Sequence, residues 1–428
     1  MRCSNLPIKV EVPNVPWHGD KPMTLYFPDE WDVKRCKIAS EGQTALSSEQ
    51  VRKAILSPIG TKPLSALAQG KNEAVIIFDD MTRPTKIYQY APIVLEELKK
   101  AGVKDENIRF IIAAGSHGTY TLKHFREKLG EEIMERYPVF NHNPYEMVKY
   151  VGDTKRGTPV WINGEVMSCD LKIGIGTLLY HRMAGFTGGA KIICPGVAGI
   201  RTIQINHGPV GGFGDGYSAH PSTGYLKADG NVLRLDMEDA ARITGLDFKI
   251  DTVLNLNRDP LEVYAGDFVQ THRRAIPGVL KWHRTESPRE MDIVVANSYM
   301  RQNEADLGLW SASQCVKSDG SIVLMADDPD GDINHWIFHA HGKYIGASLW
   351  SGKPRIPPAG ARLVIYGRYH DKKFQNRYRK ENTAWCKTWE EVLEILKSHH
   401  RNKAKVAVLP DATSGIPETM TPPHNHFK

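Results

Sequence analysis

The sequence predicts an α/β protein with two domains, each built on a largely parallel sheet. Short apolar runs recur along the chain, each followed by a polar or glycine-rich turn, and amphipathic helical patterns stand between several of them. Strands buried on both faces and alternating with helices are typical of parallel sheets covered by helices. Ligands of such open sheets bind at the carboxyl ends of strands, so these ends are the places to look for a site.

Seven apolar runs are the predicted strands: EAVIIFDD (73–80), NIRFIIAAGSH (107–117), LKIGIGTL (171–178), DIVVANSY (292–299), SIVLMADD (321–328), RLVIYGR (362–368) and KVAVLPDA (405–412). Amphipathic spacing predicts helices over 91–102 and 388–400. The pattern breaks over 274–290, which predicts an N-terminal domain of residues 1–280 and a C-terminal domain of residues 285–428. We expect the active site in the cleft between them. The last helix and strand belong either to the second domain or to the first.

The composition is that of an ordinary globular protein. The 428 residues carry 55 basic and 49 acidic side chains, and no basic stripe with interleaved aromatic residues indicates a nucleic-acid partner. Six cysteines without a CxxC pair predict neither a disulfide framework nor a zinc knuckle. We find no signal peptide and no apolar window of membrane-spanning length, so we expect a cytoplasmic protein that does not enter a membrane.

The first predicted strand ends in DDMTRPTK (79–86). There Arg83 could bind a carboxylate through two parallel hydrogen bonds while Asp80 orients it. An Asp/Arg pair that only braces a turn is an equally good explanation of this motif alone.

Three histidines follow later strand ends. His117 lies between glycines in GSHG, and His181 and His207 lie before and after the glycine-rich stretch GFTGGAKIICPG (185–196). A single histidine of this kind is more often structural. Three histidines beside one lysine are hard to explain as packing, because neutral imidazole is both a metal ligand and a general base.

The glycine-rich stretch suits a ligand that approaches the backbone closely. It is not the phosphate loop GxxxxGK[ST], because Ala190 and Ile192 stand where that loop needs a glycine and a hydroxyl. Lys191 therefore either has another function or is a solvated surface residue.

A rival histidine cluster occurs in NHWIFHAHG, which contains His335, His339 and His341. The spacing of four between the first two resembles a zinc-binding helix, but the glutamate of HExxH is missing. We interpret this segment as a helix with surface or interface histidines.

The motifs together resemble the nickel-pincer lactate racemases, a family that isomerises 2-hydroxy acids. The resemblance is carried, in this order, by DDMTRPT (79–85), AAGSHG (113–118), HRMAGFTGGAKIICPG (181–196) and TIQINH (202–207). It covers most of residues 20–270, and the second half matches more loosely.

The resemblance implies a nickel-pincer nucleotide, which is a pyridinium mononucleotide whose two sulfur-containing arms hold nickel against the ring. By position, Lys191 would join this cofactor covalently and His207 would complete the coordination of the nickel. Thr82, Gly188 and Gly189 would line the cofactor, with the glycines leaving room for the ring and its phosphate.

The resemblance also implies the chemistry. A hydride moves from C2 of the substrate to the cofactor and returns on the other face, so that no carbanion forms. His117 and His181 match the two acid–base residues, one for each enantiomer, and Arg83 supported by Asp80 would bind the carboxylate.

The second half departs from the lactate-specific pattern. Lactate-specific relatives have a glutamine and a lysine one helical turn apart, but the stretch NEADLGLWSASQCVK (303–317) has Leu309 and Trp310 near that position and no lysine before Lys317. Glu304 and Trp310 could instead line a pocket for a larger 2-hydroxy acid such as an aldonic acid, although Trp310 could equally be a core residue. On such a substrate the reaction would be a 2-epimerisation.

Two other functions remain open at this stage. The chain could be a silent nickel-cofactor carrier, which would leave the two bases without a purpose, or an NAD-type oxidoreductase, which would need a GxGxxG fingerprint after the first strand. The expected partners of the enzyme are a small anionic 2-hydroxy acid and the enzymes that make the cofactor and insert its nickel. A homo-oligomer is possible.

Overall fold

The chain folds as an α/β protein with largely parallel sheets. The computed structural model describes residues 6–214, 216–335, 337, 354–400 and 403–420. The strands are β1 (Ile8–Val12), β2 (Met23–Phe27), β3 (Asp32–Arg35), β4 (Ala74–Asp79), β5 (Ile108–Ala113), β6 (Val139–Asn141), β7 (Val148–Asp153), β8 (Pro159–Asn163), β9 (Leu171–Thr177), β10 (Tyr180–His181), β11 (Gly185–Phe186), β12 (Phe248–Leu254), β13 (Pro260–Gly266), β14 (Arg284–Thr285), β15 (Met291–Asn297), β16 (Val316–Met325), β17 (Arg362–Tyr366), β18 (Thr383–Cys386), β19 (Lys405–Leu409) and β20 (Ile416–Pro417).

The α-helices stand between these strands. They are α1 (Ser48–Leu56), α2 (Leu64–Ala68), α3 (Ala91–Lys100), α4 (Leu122–Leu129), α5 (Glu131–Arg136), α6 (Gly164–Ser168), α7 (Ile200–Ile205), α8 (Val232–Thr244), α9 (Phe268–Trp282), α10 (Gly308–Ser313), α11 (Lys372–Gln375) and α12 (Trp389–His400). No helix in the described part of the chain is both long and apolar enough to span a membrane.

The chain divides into two compact units. The described residues of unit A are 42–214, 216–280, 334, 335 and 337. Those of unit B are 6–41, 281–333, 354–400 and 403–420.

Unit A is built on a sheet with the strand order β13-β12-β9-β4-β5-β6. The pairs from β12 to β6 are parallel, and only the edge strand β13 is antiparallel to its neighbour. Every residue of β4 is buried. Its alternate side chains enter two different cores, because Ile76 and Phe78 pack on one face and Val75 and Ile77 on the other. This explains why the strand is apolar throughout and does not alternate with polar residues.

Unit B contains a second sheet with the order β18-β17-β16-β15-β19-β3, and all of its neighbouring pairs are parallel. Its two faces again bury different side chains. Val294 and Ala296 of β15 pack in one core, and Ile293 and Val295 pack in the other. Helix α12 contributes Val392 and Leu396 to the second of these cores.

The strands and helices predicted from the sequence are confirmed at the level of elements. Each of the seven predicted apolar runs contains a strand of one of the two main sheets, and the amphipathic stretches 91–102 and 388–400 form α3 and α12. The last helix and strand, whose position the sequence left open, belong to unit B.

The predicted division at residues 1–280 and 285–428 differs from the structure in two respects, and one of them is that residues 334, 335 and 337 belong to unit A. Residues 6–41 belong to unit B, because β3 pairs in parallel with β19 and because β1 and β2 contribute Val12 and Phe27 to a core of that unit. The stretch 274–290, interpreted from sequence as a break, begins inside helix α9 and continues into β14. The predicted active-site cleft between two domains stays a prediction.

Two fully buried histidines brace loops of unit A. His142 donates from Nε2 to the carbonyl of Ala198 at 2.9 Å and accepts at Nδ1 from the Asn163 amide at 3.2 Å. His272 donates from Nε2 to the carbonyl of Thr187 at 3.0 Å. Burial lowers the pKa of His142 to about 4 and lowers the pKa of His272 well below its ordinary value. Both rings are therefore neutral in the folded chain near pH 7.

These two rings predict that acid destabilises the fold before the pH reaches the ordinary pKa of a carboxylate. Between about pH 6.5 and pH 4 the unfolded chain binds protons at both histidines and the folded chain does not, so stability falls as the pH falls through this window. Each histidine contributes a slope of about 1.4 kcal/mol per pH unit to the free energy of unfolding. Urea unfolding at a series of pH values measures this slope.

The variant His142→Gln should reduce the slope by the contribution of one histidine. His399→Gln is a matched control, because His399 is exposed and should leave the slope unchanged. A slope in His142→Gln equal to that of the wild-type protein would contradict the prediction.

Candidate active site

The polar residues singled out in unit A follow three neighbouring parallel strands. β4 lies between β9 and β5, so the chain leaves β4 toward β5 on one side and later returns to β9 on the other. Such a reversal of strand order opens a crevice at the carboxyl ends of the strands, where ligands of open α/β sheets bind. Asp79, Ala113 and Thr177, the last residues of these strands, therefore share one edge of the sheet.

Asp79 fixes the loops at this edge. Its carboxylate accepts from the Lys128 ammonium at 2.6 Å, from the Thr85 hydroxyl at 2.6 Å and from the backbone N–H of Thr177 at 3.1 Å. Lys128 is fully buried on α4 and also donates to the carbonyls of Asp80 and Arg83, at 3.1 and 3.0 Å. The loop after β4 is thus held along its whole length by one lysine.

Asp80 and His117 form a hydrogen-bonded pair in which the carboxylate is buried. His117 Nδ1 lies 2.5 Å from Asp80 Oδ2, and the Tyr120 hydroxyl donates to the same oxygen at 3.1 Å. Burial alone would raise the pKa of Asp80, but electrostatic attraction to His117 and the hydrogen bond from it hold that pKa well below its usual range. An ionised carboxylate can only accept, so His117 donates from Nδ1, and in the neutral ring the second nitrogen, Nε2, has the lone pair.

Arg83 is connected to Asp80 through Thr82. The other Asp80 oxygen accepts from the backbone N–H of Thr82 at 3.0 Å and from the Thr82 hydroxyl. Arg83 Nη1 then donates to the Thr82 hydroxyl and carbonyl oxygens, at 2.7 and 2.8 Å. The predicted support of Arg83 by Asp80 is therefore indirect, and fully buried Thr82 is the link.

His181 lies on the hairpin formed by β10 and β11. Its Nδ1 accepts from the backbone N–H groups of Met183 and Ala184, at 3.2 and 3.1 Å. A nitrogen that accepts two N–H groups has no proton, so the proton of the neutral ring is on Nε2. Fully buried Arg234 fixes the hairpin from α8, where its Nε donates to the Ala184 carbonyl at 3.1 Å.

Gly188 and Gly189 adopt the left-handed backbone conformation, with φ of 75° and 56°. A Cβ on Gly188 would lie 2.8 Å from an Asp251 oxygen, and one on Gly189 would lie 2.9 Å from His272. The N–H of Gly189 donates to both Asp251 oxygens at 3.1 Å, and buried Lys249 donates to Asp251 at 2.6 Å. These glycines are thus required by the protein's own packing, a role that the sequence did not indicate.

Lys191 and His207 share one electrostatic environment. His207 is 3% exposed, and burial together with the positive charge of Lys191 lowers its pKa to about 3. The ring is therefore neutral near pH 7, the form that binds metals. It lies in a single π-helical turn, Asn206–Val210, that follows α7, and such turns are frequent at functional sites. Asn206 anchors the turn by donating to buried Asp236 at 2.8 Å.

A fourth histidine lies beside His117. The ring centroids of His117 and His335 are 4.8 Å apart at an angle of 71°, and the backbones of these two residues form an antiparallel bridge. The helix that the sequence predicted for this segment is therefore wrong at His335, which lies in a β-bridge and is partly buried. Its neighbours in that cluster, His339 and His341, lie outside the described residues.

The two predicted substrate residues lie in unit B. Glu304 forms an ion pair with buried Arg301, and Trp310 is partly buried on α10. Sequence reasoning missed Lys128, Tyr120 and Asp251, which hold the site residues of unit A. Lys128 lies on the buried side of the amphipathic helix α4, together with Phe125 and Leu129. A lysine at an apolar position of the helical pattern was the only sequence signal for its role.

The arrangement in unit A combines four chemical groups. His117 presents a nitrogen lone pair, His181 presents an N–H, Lys191 carries an amine, and His207 is a neutral imidazole. Acceptor and donor together suit proton transfer at an oxygen. An amine beside a buried neutral imidazole suits a tethered, metal-containing ligand.

The chain is similar to known proteins over most of its length. Residues 18–212 match the lactate racemase N-terminal domain. The lactate racemase of Thermoanaerobacterium thermosaccharolyticum is 27% identical over 433 residues, which cover 95% of this chain and 98% of that protein. The lactate racemase of Lactiplantibacillus plantarum is 28% identical over 391 residues, covering 86% of this chain and 90% of that one.

Two solved structures share the fold. The lactate racemase apoprotein from T. thermosaccharolyticum superposes with a TM-score of 0.71 at 24% identity and covers 96% of this chain and 100% of that one. A protein from Thermotoga maritima superposes with a TM-score of 0.61 at 16% identity and covers 88% of this chain and 99% of its own. The matched domain, the two relatives and the common fold together support the lactate racemase family, whose named members are isomerases, as the family that this chain resembles.

Proposed function

We propose that the chain is a racemase or epimerase that inverts C2 of a 2-hydroxy acid. The observation that carries this proposal is that the two histidines after the strand ends have opposite hydrogen-bonding states, one as acceptor and one as donor. His117 presents an acceptor because its Nδ1 donates to Asp80. His181 presents a donor because its Nδ1 accepts two backbone N–H groups.

Inversion of an alcohol carbon needs such a pair. The hydroxyl proton must leave when C2 is oxidised to the ketone and must be returned when C2 is reduced on the other face. Asp80 stabilises the imidazolium that forms when His117 accepts this proton, because its carboxylate is ionised and already bonded to the ring. His181 donates a hydrogen bond to the C2 oxygen of the substrate when that oxygen faces His181.

The residues fit the nickel-pincer nucleotide that the family resemblance implies. The test is the chemistry of the donor set: His207 is buried and neutral, and imidazole suits nickel. The amine of Lys191 follows a loop whose glycine conformations are already fixed by Asp251 and His272. We propose that Lys191 binds the cofactor covalently, that His207 is its metal ligand and that Thr82, Gly188 and Gly189 line it. When bound, this group accepts and returns a hydride.

Arg83 is the proposed partner of the substrate carboxylate. Its guanidinium is held through Nη1 by Thr82, so its plane is fixed before the substrate binds. A fixed guanidinium recognises a carboxylate with less loss of side-chain entropy than a mobile one. This contact places C2 and its hydroxyl group relative to the histidines, because carboxylate and C2 are adjacent in every 2-hydroxy acid.

The size of the substrate is a separate part of the proposal. Two relatives are named as lactate racemases, and lactate is the first substrate to test. The stretch 303–317 lacks the lactate-specific residues expected from the resemblance, and we propose a larger or more hydroxylated acid, with Glu304 and Trp310 in contact with its distal part.

The experiment that tests the activity is a screen of enantiopure 2-hydroxy acids, each deuterated at C2, with cofactor-loaded protein. We expect at least one acid to be inverted with most of its deuterium retained, because the hydrogen of C2 moves as a hydride and is not exchanged with water. Nuclear magnetic resonance of the product measures both quantities. Complete loss of the label to solvent would reject hydride transfer in favour of proton abstraction, and no turnover with any acid would reject the activity.

The proposed covalent bond between Lys191 and the cofactor predicts an increase in the mass of the peptide that contains Lys191. Mass spectrometry of the loaded, active protein should show an adduct on the peptide containing Lys191. Lys191→Arg keeps the positive charge and cannot form the same bond, so its peptide should be unmodified. An unmodified Lys191 peptide in active enzyme would exclude the covalent tether.

The two histidines predict the effect of their removal on inversion. His117→Ala and His181→Ala should each slow the inversion of a 2-hydroxy acid by about 10²-fold or more, because the first removes the proton acceptor and the second removes the N–H donor. Stopped-flow absorbance of the loaded protein, mixed with each pure enantiomer, measures these rates. A double variant with full activity would exclude both residues from proton transfer.

A further inference from the structure

The segment of Asn334, His335 and Ile337 packs against the loop that carries His117. The N–H of Gly118 donates to the carbonyl of Asn334 at 3.1 Å, and His117 and His335 form an antiparallel bridge. A Cβ on Gly118 would lie 3.5 Å from the Cβ of Asn334, so even the smallest side chain there would be in van der Waals contact with this segment. The segment therefore pairs with the backbone of His117 and of the residue that follows it.

The ring of His117 needs more than one contact to hold its direction. The bond from Nδ1 to Asp80 fixes one atom, and the ring can still rotate about that bond and change the direction of Nε2. The edge-to-face contact with His335, at 4.8 Å and 71°, supplies the second constraint because it fixes the plane of the ring. Two contacts at different atoms define the position of Nε2.

His335 is itself held by a neighbour of His117. Its Nδ1 lies 3.3 Å from the Oγ of Ser116, which is 3% exposed. The ring that orients His117 is thus bonded to the residue that precedes His117 in the chain. A shift of the loop would move both rings together and would preserve their contact.

Ile337 anchors the segment in the core of unit A. Its side chain is fully buried and belongs to the apolar cluster that includes Ile111 of β5 and Cys194 and Val197 of the loop that follows Lys191. The position of His335 is consequently set by the packing of the same core that supports the glycine loop.

We infer that His335 is a positioning residue for His117, and that its ring holds the His117 plane so that Nε2 keeps one direction. The inference rests on the proposed function of His117 as a proton acceptor. Neither the family motifs nor the histidine spacing assigns this role. Because His335 acts through His117, its loss should lower kcat and leave KM within about two-fold of the wild-type value.

Three variants separate the effect of ring packing on kcat from the effect of the ring nitrogens. His335→Ala removes the whole contact and should lower kcat by about 10-fold or more, since small displacements of a reacting group are costly. His335→Phe keeps an aromatic edge-to-face partner without nitrogens and should recover most of that loss. His370→Ala is the matched control, because His370 makes a similar ring contact, 4.7 Å from Trp385, in unit B, and it should leave kcat unchanged.

A second measurement does not depend on turnover. The Nδ1–H proton of His117, donated to Asp80, should give a downfield signal in the full-length protein labelled with ¹⁵N-histidine, and His117→Gln identifies it by its disappearance. We expect His335→Ala to broaden or shift this signal and His335→Phe to retain it, with the melting temperatures of both variants close to wild type.

The two readouts keep the inference separate from the proposed function. If the wild-type protein inverts no 2-hydroxy acid, the proposed function fails, and the signal of His117 still tests the positioning. An unchanged signal and unchanged kcat in His335→Ala would overturn the inference. A loss in His335→Phe as large as that in His335→Ala would also overturn it, since the nitrogens and not the ring contact would then be responsible.

Discussion

The buried ion pair between Asp79 and Lys128 is the interaction on which the site depends. The carboxylate stands at the end of β4, where the strand order reverses, and it binds the N–H of Thr177 at the end of β9 as well as the lysine. Lys128 in turn holds the backbone of Asp80 and Arg83. Removing either partner would leave an uncompensated buried charge, which typically costs about 3–5 kcal/mol, and would release the loop that carries the pair with His117.

The main elements could be predicted from the sequence because their physical signal is local. A strand such as β4 is buried on both faces and must be apolar at every position, and helices such as α3 must carry one apolar side. Strand β3 gave no such signal. It is short, lies at a sheet edge and has no fully buried residue, so its own position in unit B becomes visible only through its pairing with β19.

The site was predictable in its residue types and less so in its connections. Asp80, His117, His181 and Lys191 stand at strand ends or in glycine-rich stretches, and the motifs marked them. The contact of His335 with His117 joins residues 218 positions apart, and no periodicity records such a pairing. Buried ion pairs inside unit A, such as Lys249 with Asp251, could not be recognised either, because in the sequence their residues look like exposed polar residues of a strand.

The glycine loop before Lys191 has a consequence for ligand binding. Its left-handed residues are fixed by contacts with Asp251 and His272, so the protein's own packing sets the shape of the backbone. The conformational entropy of this segment is lost when the chain folds and would not be lost again on binding of the proposed cofactor. The proposed nucleotide would therefore meet a surface whose shape two buried side chains have set in advance.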